Sequence, residues 1–353
     1  MAKSTFRSIR IVGIAASVPR GRTNVLTDHE FVPAEDRAKI AALTGVREYR
    51  KSTPEVCSSD LCKKAAASLI REAEIDPKTI DAVVFATMTP DYRVPSTACI
   101  LAHELGLDSH ALAYDVNMGC SGYVVGMYNA CSLIRGAGLK RVLLLAGDTQ
   151  TKLCHPKDKN VVFLLGDGGT ATLLEADEDE GDAIRMELKT DGSRFKSLYV
   201  PAGGFRTPST DATRELRQRP DGGVRADDNL YMDGMEIFKF SSTDVVNTIQ
   251  GFMDAEGIKP DETDYLILHQ ANKFMNDKIA RKLKFPAEKV LYSIGVFGNT
   301  GSASIPLTIV HNRTSFVGKK GVRSVISGFG VGLSWGVGHV VLDNIVCPPI
   351  EEC

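Results

Sequence analysis

The sequence predicts an α/β fold in which one arrangement of strands and helices occurs twice. Short apolar runs rich in β-branched residues alternate with longer segments of helical period, which is typical of helices packed around a buried sheet. The order and spacing of these segments in the first half of the 353 residues recur in the second half. Such self-similarity indicates a duplicated βα unit.

The elements of the first half follow in chain order from this alternation. Strands are predicted at Ile9–Ala15, Ala82–Thr87, Ala111–Asp115, Arg141–Asp148 and Val161–Glu175. Helices are predicted at Ser59–Ala73, Ser96–Leu105 and Gly122–Ile134. Asp76-Pro77 marks the exit of the first helix, because proline cannot continue a helix.

The second half repeats this order. Strands are predicted at Tyr265–Leu268, Lys289–Ser293 and Val322–Gly328, and helices at Asn272–Leu283 and Ser304–Thr314. The acidic stretch Glu175–Asp182 is predicted as a solvated connector. We therefore expect an N-terminal half of residues 1–180 and a C-terminal half of residues 181–353. Residues 203–229, rich in Gly, Pro, Asp and Arg, are predicted as a long surface loop.

Composition excludes several classes of protein. The chain is 43% hydrophobic and 24% charged, as in ordinary globular proteins. Its 42 Lys and Arg against 44 Asp and Glu argue against nucleic-acid binding through a bulk positive field. No apolar run approaches the roughly 20 residues that span a bilayer. The basic, polar N-terminus also lacks the apolar region of a secretory signal. We expect a cytoplasmic enzyme without a membrane partner.

One cysteine differs from the other seven in its context. The eight cysteines form neither CxxC pairs nor Cys/His metal spacings, so no metal site is predicted. Cys120 lies between a predicted strand and a predicted helix, in the turn Gly119-Cys-Ser-Gly. The positive end of the helix dipole and free backbone N–H groups favour a thiolate there, the nucleophilic form of cysteine. The alternative is a buried structural cysteine.

Two polar residues follow predicted elements of the second half. His269 ends the apolar strand in His269-Gln-Ala-Asn, at the carboxyl edge where α/β sheets place their chemistry. Asn299 lies in a Gly- and Ser-rich turn before a helix. The alternative interpretations are a histidine that binds a loop carbonyl and an asparagine that caps a helix or occupies a left-handed turn.

A glycine-rich segment follows the last predicted strand. In Gly328-Phe-Gly-Val-Gly-Leu-Ser-Trp-Gly, exposed backbone N–H groups are suited to an oxyanion hole. The segment lacks the third glycine and the ribose-binding acid of a dinucleotide fingerprint, so we reject that reading. Cys, His and Asn in this order also occur in papain-like proteases. Here Ser121 follows the cysteine, where such proteases have tryptophan, so the protease interpretation is weak.

Six segments together identify a family resemblance. They are Thr89-Pro-Asp-Tyr-Arg-Val-Pro-Ser-Thr-Ala-Cys, Gly119-Cys-Ser-Gly, Gly166-Asp-Gly-Gly-Thr-Ala, His269-Gln-Ala-Asn, Gly298-Asn-Thr-Gly-Ser-Ala-Ser-Ile-Pro and the glycine-rich segment from Gly328. In this order they resemble β-ketoacyl-[acyl-carrier-protein] synthase III, a thiolase-fold condensing enzyme, from about Ile9 to Asp343. The resemblance implies a thiolase-like fold, a duplicated five-layer α/β/α/β/α architecture, with the nucleophile in the N-terminal half. It also implies a homodimer and no cofactor.

The resemblance also implies the reaction and its residues. An acyl primer from acyl-CoA or acyl-carrier protein would acylate Cys120. Malonyl-carrier protein would then lose CO₂ with help from His269 and Asn299, and condense in a ping-pong sequence of fatty acid biosynthesis. The oxyanion hole would consist of the backbone N–H groups of Cys120 and Val331. Phe329 matches a gate beside the nucleophile. Val94 matches a position that reaches into the partner subunit's acyl pocket, where its small size suggests room for a longer primer.

Substrate-binding positions match the family only in part. The resemblance assigns CoA or phosphopantetheine binding to Thr44, Lys159 and Asn272. Lys39 and Leu43 stand where the family often has Trp and Arg around the CoA nucleotide. The candidate cations for docking the acidic carrier protein are Lys239, Lys273, Arg281 and Lys282, although Phe274 replaces a position that is usually Arg.

Two other functions stay open from the sequence. A specialised acyltransferase or condensing enzyme of secondary metabolism would keep the site and change the acceptor. The altered nucleotide positions and the long loop of residues 203–229 favour this alternative. A non-catalytic partner that shares only the scaffold is the third possibility, and the intact set of Cys120, His269 and Asn299 argues against it.

Overall fold

The structure, a computed structural model, describes residues 2–178 and 182–353. Its strands are β1 (Ala2–Phe6), β2 (Ile9–Val18), β3 (Arg22–Asn24), β4 (Glu48–Arg50), β5 (Ala82–Ala86), β6 (Leu112–Val116), β7 (Arg141–Asp148), β8 (Gly168–Ala176), β9 (Ile184–Thr190), β10 (Leu198–Tyr199), β11 (Arg217–Gln218), β12 (Val224–Arg225), β13 (Tyr231–Met232), β14 (Tyr265–Leu268), β15 (Val322–Gly330), β16 (Ser334–Leu342) and β17 (Glu351–Glu352). Its α-helices are α1 (Ala34–Thr44), α2 (Ser58–Glu72), α3 (Thr97–Glu104), α4 (Gly122–Ala137), α5 (Asp211–Arg214), α6 (Gly234–Phe240), α7 (Val246–Glu256), α8 (Lys273–Lys282), α9 (Ile294–Phe297) and α10 (Ser304–His311).

Two mixed sheets carry the duplication. The first has the order β17-β2-β8-β7-β5-β6, and the second has the order β1-β9-β16-β15-β14. In the first, β2, β8, β7 and β5 are joined by two antiparallel pairings and then a parallel one. The same sequence of pairings joins β9, β16, β15 and β14 in the second sheet. The predicted repeat is therefore confirmed.

Helices occupy three layers around these sheets. Apolar residues of α2 and α3 pack on the outer face of the first sheet. Both α4 and α10 contact the two sheets, and their buried side chains join residues of both sheets in one apolar core. On the outer face of the second sheet, α7 packs against β16 within a further core. The five-layer α/β/α/β/α architecture implied by the resemblance is thus present.

The terminal strands connect the halves. β1 belongs to the second sheet, where it pairs with β9, and β17 belongs to the first sheet, where it pairs with β2. The acidic connector joins β8 to β9, and the boundary expected at 180/181 lies outside the described residues. The division into residues 1–180 and 181–353 stays a prediction.

Two predicted strands are wrong in part for reasons that concern the site. In Val161–Glu175 only the portion from Gly168 is a strand. Residues 164–166 instead form backbone hydrogen bonds to Asn299, through the Leu164 carbonyl and the Gly166 N–H group, both at 2.8 Å. These backbone groups are therefore not available for strand pairing in the sheet.

The predicted strand Lys289–Ser293 is reduced to a single bridge between Val290 and Leu266. The side chain of Gln270 explains this loss. Its Oε1 accepts the N–H groups of Ser293 at 3.0 Å and of Ile294 at 3.3 Å, and its Nε2 donates to the Leu268 carbonyl at 2.8 Å. A side-chain amide thus satisfies groups that a strand pairing would use.

Other differences concern elements that the sequence reading missed or shifted. Residues 203–229 include α5 and the hairpin β11–β12, so they are not an unstructured loop. The strands β9 and β16 and the helices α1, α6 and α7 were not predicted. Elsewhere the predicted bounds differ from the observed ones by a few residues, which is usual at element ends.

Candidate active site

Cys120 lies in the turn between β6 and the N-terminus of α4. The side chain is 8% exposed. A Cβ atom on Gly330 would lie 2.5 Å from the Cys120 Cβ and 2.7 Å from its Sγ, so only glycine fits against the thiol. The chain at the end of β15 therefore passes directly over the cysteine.

The resting protonation of Cys120 differs from the sequence expectation. Burial raises the pKa of the Cys120 thiol to about 11, while the backbone N–H groups of Val331 and of Cys120 itself lower it less. The buried carboxylate of Asp148 adds to the rise. Burial therefore opposes the expected thiolate, because loss of hydration outweighs the favourable N–H groups. Both predicted oxyanion-hole N–H groups nevertheless lie beside the sulfur.

His269 follows β14 and is 1% exposed. Its backbone N–H donates to the Ser327 carbonyl at 2.7 Å, and its Nδ1 lies 2.8 Å from the Ser304 hydroxyl. The Phe329 ring packs edge-on against the imidazole, with centroids 5.6 Å apart. Burial lowers the pKa of His269 to about 3, so the imidazole is neutral near pH 7.

Asn299 is held by its backbone and by its side chain. Its N–H donates to the Leu164 carbonyl at 2.8 Å, and its carbonyl accepts from Gly166 and from the buried side chain of Gln150. The side-chain Oδ1 accepts the Gly301 N–H at 3.0 Å. The Nδ2 end, which carries the donor hydrogens, therefore faces away from Gly301 and lies 3.3 Å from the His269 Nε2.

The end of β15 connects the cysteine with this pair. Phe329 contacts the His269 ring, and the next residue, Gly330, lies against Cys120. The structure therefore brings the three predicted catalytic residues to one place, with Phe329 at 2% exposure beside them.

Asp148 is a buried residue of the site that the sequence reading did not single out. Its Oδ1 accepts the Met88 N–H at 2.8 Å, and its Oδ2 accepts the N–H and hydroxyl of Ser302 at 2.9 and 2.7 Å. Burial raises the pKa of this carboxyl to about 6 against the lowering effect of these donors. Asp148 therefore connects the segment after β5 to the turn that carries Asn299. The feature of the sequence that could have identified Asp148 is a carboxylate at the end of an apolar predicted strand.

The three predicted pantetheine-binding residues line one pocket. Thr44, Lys159 and Asn272 surround a cavity of about 580 Å³. Lys39, Leu43 and Phe274, the positions that depart from the family pattern, belong to the same lining. The rim is therefore partly apolar, with Leu43 56% and Phe274 49% exposed.

The four candidate docking cations differ in their pairing. Lys273 pairs with Asp277 at 2.7 Å, and the Lys282 ammonium donates to the Ser242 carbonyl at 2.7 Å. Lys239 and Arg281 are exposed and form no ion pair with any residue in the two described ranges. Val94, the predicted acyl-pocket residue, is 82% exposed.

The described residues contain neither a metal-binding cluster nor a membrane-spanning helix. Within residues 2–178 and 182–353, no three His, Cys, Asp or Glu side chains are grouped as a metal ion would need. Over the same residues, no helix is both long and apolar enough to cross a membrane.

Comparisons with known proteins place this chain in a family. A family model for 3-oxoacyl-[acyl-carrier-protein] synthase III matches residues 114–192, and the model for its C-terminal part matches residues 253–342. The putative 3-oxoacyl-[acyl-carrier-protein] synthase 3 of Campylobacter jejuni is 32% identical over 338 residues, which cover 95% of this chain and 94% of the relative. A β-ketoacyl-[acyl-carrier-protein] synthase III of Lactococcus lactis is 33% identical over 337 residues, which cover 94% and 99%.

Solved structures show the same fold. The 3-oxoacyl-(acyl-carrier protein) synthase of Burkholderia xenovorans superposes with a TM-score of 0.92 at 34% identity, covering 99% of this chain and 98% of that one. The 3-oxoacyl-(acyl carrier protein) synthase III of Pseudomonas aeruginosa gives a TM-score of 0.81 at 29% identity, covering 96% and 100%. The identity and coverage together show that this chain belongs to the 3-oxoacyl-[acyl-carrier-protein] synthase III family.

Proposed function

We propose that the chain is an acyltransferase of fatty acid biosynthesis that condenses an acyl primer with malonyl-carrier protein. The observation that carries this proposal is the pair of neutral side chains at His269 and Asn299, 3.3 Å apart beside the Cys120 turn. Decarboxylation of a malonyl thioester develops negative charge on the thioester oxygen. Two neutral donors stabilise that oxygen without holding the malonyl carboxylate as a cation would.

The chemistry proceeds in two halves. The Cys120 sulfur attacks the thioester carbon of the primer, and the donor thiol leaves with a proton. The malonyl thioester then loses CO₂, and the electron pair of the broken C–C bond passes to the enolate. The enolate carbon attacks the acyl-cysteine carbonyl, and the cysteine sulfur leaves as a thiolate that takes a proton from water. A 3-oxoacyl thioester is released.

Acylation in this scheme uses a second set of donors. Backbone N–H groups of Cys120 and Val331 lie beside the sulfur and lower its pKa. In the tetrahedral intermediate they would bind the oxygen of the attacked carbonyl. Because the resting thiol is protonated, we expect substrate binding to precede deprotonation. Phe329, packed on His269, would act as the gate beside the nucleophile.

The donor thioester would enter through the 580 Å³ pocket. Thr44 and Asn272 lie where the pantetheine arm would pass, and Lys159 offers a cation for phosphate. Acyl-CoA and acyl-carrier protein both carry this arm, and malonyl-carrier protein would use the same route. No cofactor takes part in this scheme, and a cytoplasmic location remains a prediction.

Carrier docking would use cations near this pocket. Arg281 and Lys239 have free charged ends among the described residues, so an acidic carrier surface would find them available. Lys282 and Lys273 already satisfy part of their charge within the chain, so smaller contributions are expected from them.

We also propose that the protein is a homodimer. β6 is the open edge of the first sheet, and its Leu112 side chain is 47% exposed. An exposed sheet edge with an apolar side chain is a template for pairing with another chain. The N-terminus of α3 is hydrogen-bonded to Asp115 of β6, so the exposed Val94 just before α3 lies close to this edge. A second copy paired along β6 would therefore receive Val94 near its own site.

One observation supports a second candidate function. The priming β-ketosynthase of the R1128 polyketide pathway superposes on this chain with a TM-score of 0.81 at 27% identity, over 97% of this chain. A condensing enzyme or acyltransferase of secondary metabolism would retain Cys120 chemistry and differ in its acceptor. Identification of the acceptor separates the two functions.

Intact-protein mass spectrometry tests the proposal. We expect acyl-CoAs of graded chain length, or the corresponding acyl-carrier proteins, to add one acyl mass to the protein but not to Cys120→Ala. Subsequent addition of malonyl-carrier protein should remove that mass, release CO₂ and yield a 3-oxoacyl-carrier product. An acylated protein that transfers its group to another acceptor without CO₂ release supports the secondary function instead.

A further inference from the structure

The hairpin β11–β12 covers the loop that precedes residues 161–165. Its strands pair Arg217 with Arg225 and Gln218 with Val224. The turn is closed by the Arg219 N–H, which donates to the Gly223 carbonyl at 2.9 Å. The hairpin is thus an ordered unit within residues 203–229.

A buried ion pair attaches this hairpin to the loop. Arg225 is 6% exposed and Asp158 is 1% exposed, and the Arg225 Nη1 lies 3.2 Å from the Asp158 Oδ2. A second carboxylate, Asp221, lies 2.5 Å from the Arg225 Nη2. The Tyr231 ring covers the guanidinium with its centroid 4.8 Å from Cζ. A buried ion pair adds little net stability, so positional control is the better explanation of its presence.

The turn of the hairpin is fitted closely to the same loop. A Cβ atom on Gly223 would lie 2.7 Å from the Arg225 Nη1 and 2.9 Å from the Asn160 Nδ2. A Cβ atom on Gly222 would lie 3.6 Å from the Lys159 Cε. Gly223 therefore leaves no room for a side chain against residues 158–160, whereas Gly222 is favoured by its φ of +82° and lies in ordinary contact with Lys159.

Asp158 connects the hairpin to the residues that line the 580 Å³ pocket. Its Oδ1 accepts the Asn160 N–H at 3.2 Å, and its carbonyl accepts the Val162 N–H at 3.0 Å. Lys159 and Asn160, which Asp158 precedes, line the 580 Å³ pocket. The ion pair of Lys159 with Asp36, at 3.5 Å and half exposed to water, is too weak to fix the lysine by itself.

We propose that Arg225 is a positioning residue for the donor substrate: through Asp158 it holds Lys159 and Asn160 against the phosphate-bearing end of the pantetheine arm. This inference rests on the proposed function, because that function assigns the pocket to the arm. It gives the hairpin an indirect role in substrate binding through the Arg225–Asp158 pair, since none of the described residues that line the pocket belongs to the hairpin. Arg225 is expected to affect affinity for the donor and to leave the chemistry at Cys120 unchanged.

Calorimetric binding of CoA to the full-length protein tests this inference without requiring catalysis. Arg225→Met, which keeps the length of the side chain and removes its charge, should weaken CoA binding about fivefold to tenfold. Arg217→Met is the matched control, because Arg217 lies on the same hairpin but its guanidinium contacts the exposed Glu215 and the Ala212 carbonyl and not Asp158. This control should bind CoA like the parent. Asp158→Asn, which breaks the same pair from the other side, should reproduce the loss if Arg225→Met does not fold.

A double-variant cycle separates positioning from a general structural effect. Lys159→Ala should weaken CoA binding by a similar factor, and it should add little to Arg225→Met, because both remove the same contact. The proposal would be overturned if the losses of CoA binding in Lys159→Ala and Arg225→Met were fully additive. It would also be overturned if a folded Arg225→Met protein bound CoA like the parent, or if the parent did not bind CoA. A different result would support the inference and reject the proposed function. In that result Arg225→Met loses CoA binding, but no acyl donor acylates Cys120 of the parent protein.

Discussion

The Nε2 atom of His269 lies 3.3 Å from the Nδ2 atom of Asn299, and both side chains are held from behind. Ser304 contacts the far nitrogen of the imidazole at 2.8 Å, and the Gly301 N–H holds the far end of the carboxamide at 3.0 Å. The imidazole and the carboxamide are therefore held in position before substrate binds. A substrate oxygen at hydrogen-bonding distance from both nitrogens meets donors that need no reorganisation.

Replacing Asn299 should separate the two halves of the reaction. Asn299→Ala removes one donor to the enolate oxygen, and such a loss typically lowers the rate about 10²–10³-fold, or roughly 3–4 kcal/mol. We expect CO₂ release and condensation to fall by this factor while Cys120 still acylates. Asn312→Ala, outside the site, is the control. Parent-rate condensation by Asn299→Ala would show that the role assigned to this side chain is wrong.

The protonation of Cys120 predicts slow alkylation at neutral pH. Because burial raises the pKa of the thiol to about 11, little thiolate exists near pH 7.5. Peptide mass spectrometry after iodoacetamide treatment should show the partly exposed Cys353 labelled before Cys120, with Cys120 labelling rising steeply with pH. Faster labelling of Cys120 than of Cys353 at neutral pH would mean that the α4 N-terminus outweighs burial.

The state of His269 predicts that its own titration does not shape the pH dependence of decarboxylation near neutral pH. Its pKa of about 3 keeps the imidazole neutral from about pH 6 to pH 8. An inflection of the CO₂-release rate near pH 6 should therefore come from the buried carboxyl of Asp148, whose pKa is raised to about 6, and should disappear in Asp148→Asn. Unfolded histidine has a pKa of about 6.5 and takes up its proton first as pH falls. This residue therefore lowers the free energy of unfolding progressively from about pH 6.5 to pH 3. NMR titration of the imidazole nitrogens is the direct check.

Asp148 should be intolerant of its closest neutral substitute. In Asp148→Asn the amide nitrogen must face either the Met88 N–H or the Ser302 donors, all of which need an acceptor. Leaving such a group unpaired costs about 1–3 kcal/mol, measurable by urea unfolding. We also expect lower condensation activity, because Ser302 follows the Asn299 turn. Unchanged stability would indicate that the carboxyl is protonated and already donates.

Residue 94 should influence primer length if two copies pair along β6. Val94→Phe places a larger ring where the partner's acyl pocket is expected, so the preferred primer should shorten. Competition between acyl-CoAs of different length, with acyl-enzyme masses as the readout, measures this shift. The same protein should sediment as a dimer. An unchanged length preference in a dimeric Val94→Phe protein contradicts the placement.

Local patterns were enough for the elements that bear the chemistry. Period and composition predicted the strands that end before Cys120 and His269. The buried strand β14 must be a continuous apolar run, and β6 was recognised by its place between two predicted helices although it is a half-exposed edge strand. The turn glycines next to Cys120 and the polar residues after strand ends also lie within a few positions of each other. The α/β class, the duplication and three catalytic candidates were therefore readable from the sequence.

What the tertiary structure decided depends on contacts between residues far apart in the chain. The Gln270 side chain accepts the Ser293 N–H and so takes the place of a predicted strand pairing. The backbone of Asn299 pairs with the backbone at Leu165. The pairing of Arg225 with Asp158 spans 67 positions. Whether Cys120 is a thiolate also depends on burial by both halves. Such outcomes arise because hydrogen-bond partners and hydration are set by three-dimensional packing, which no local period in a sequence specifies.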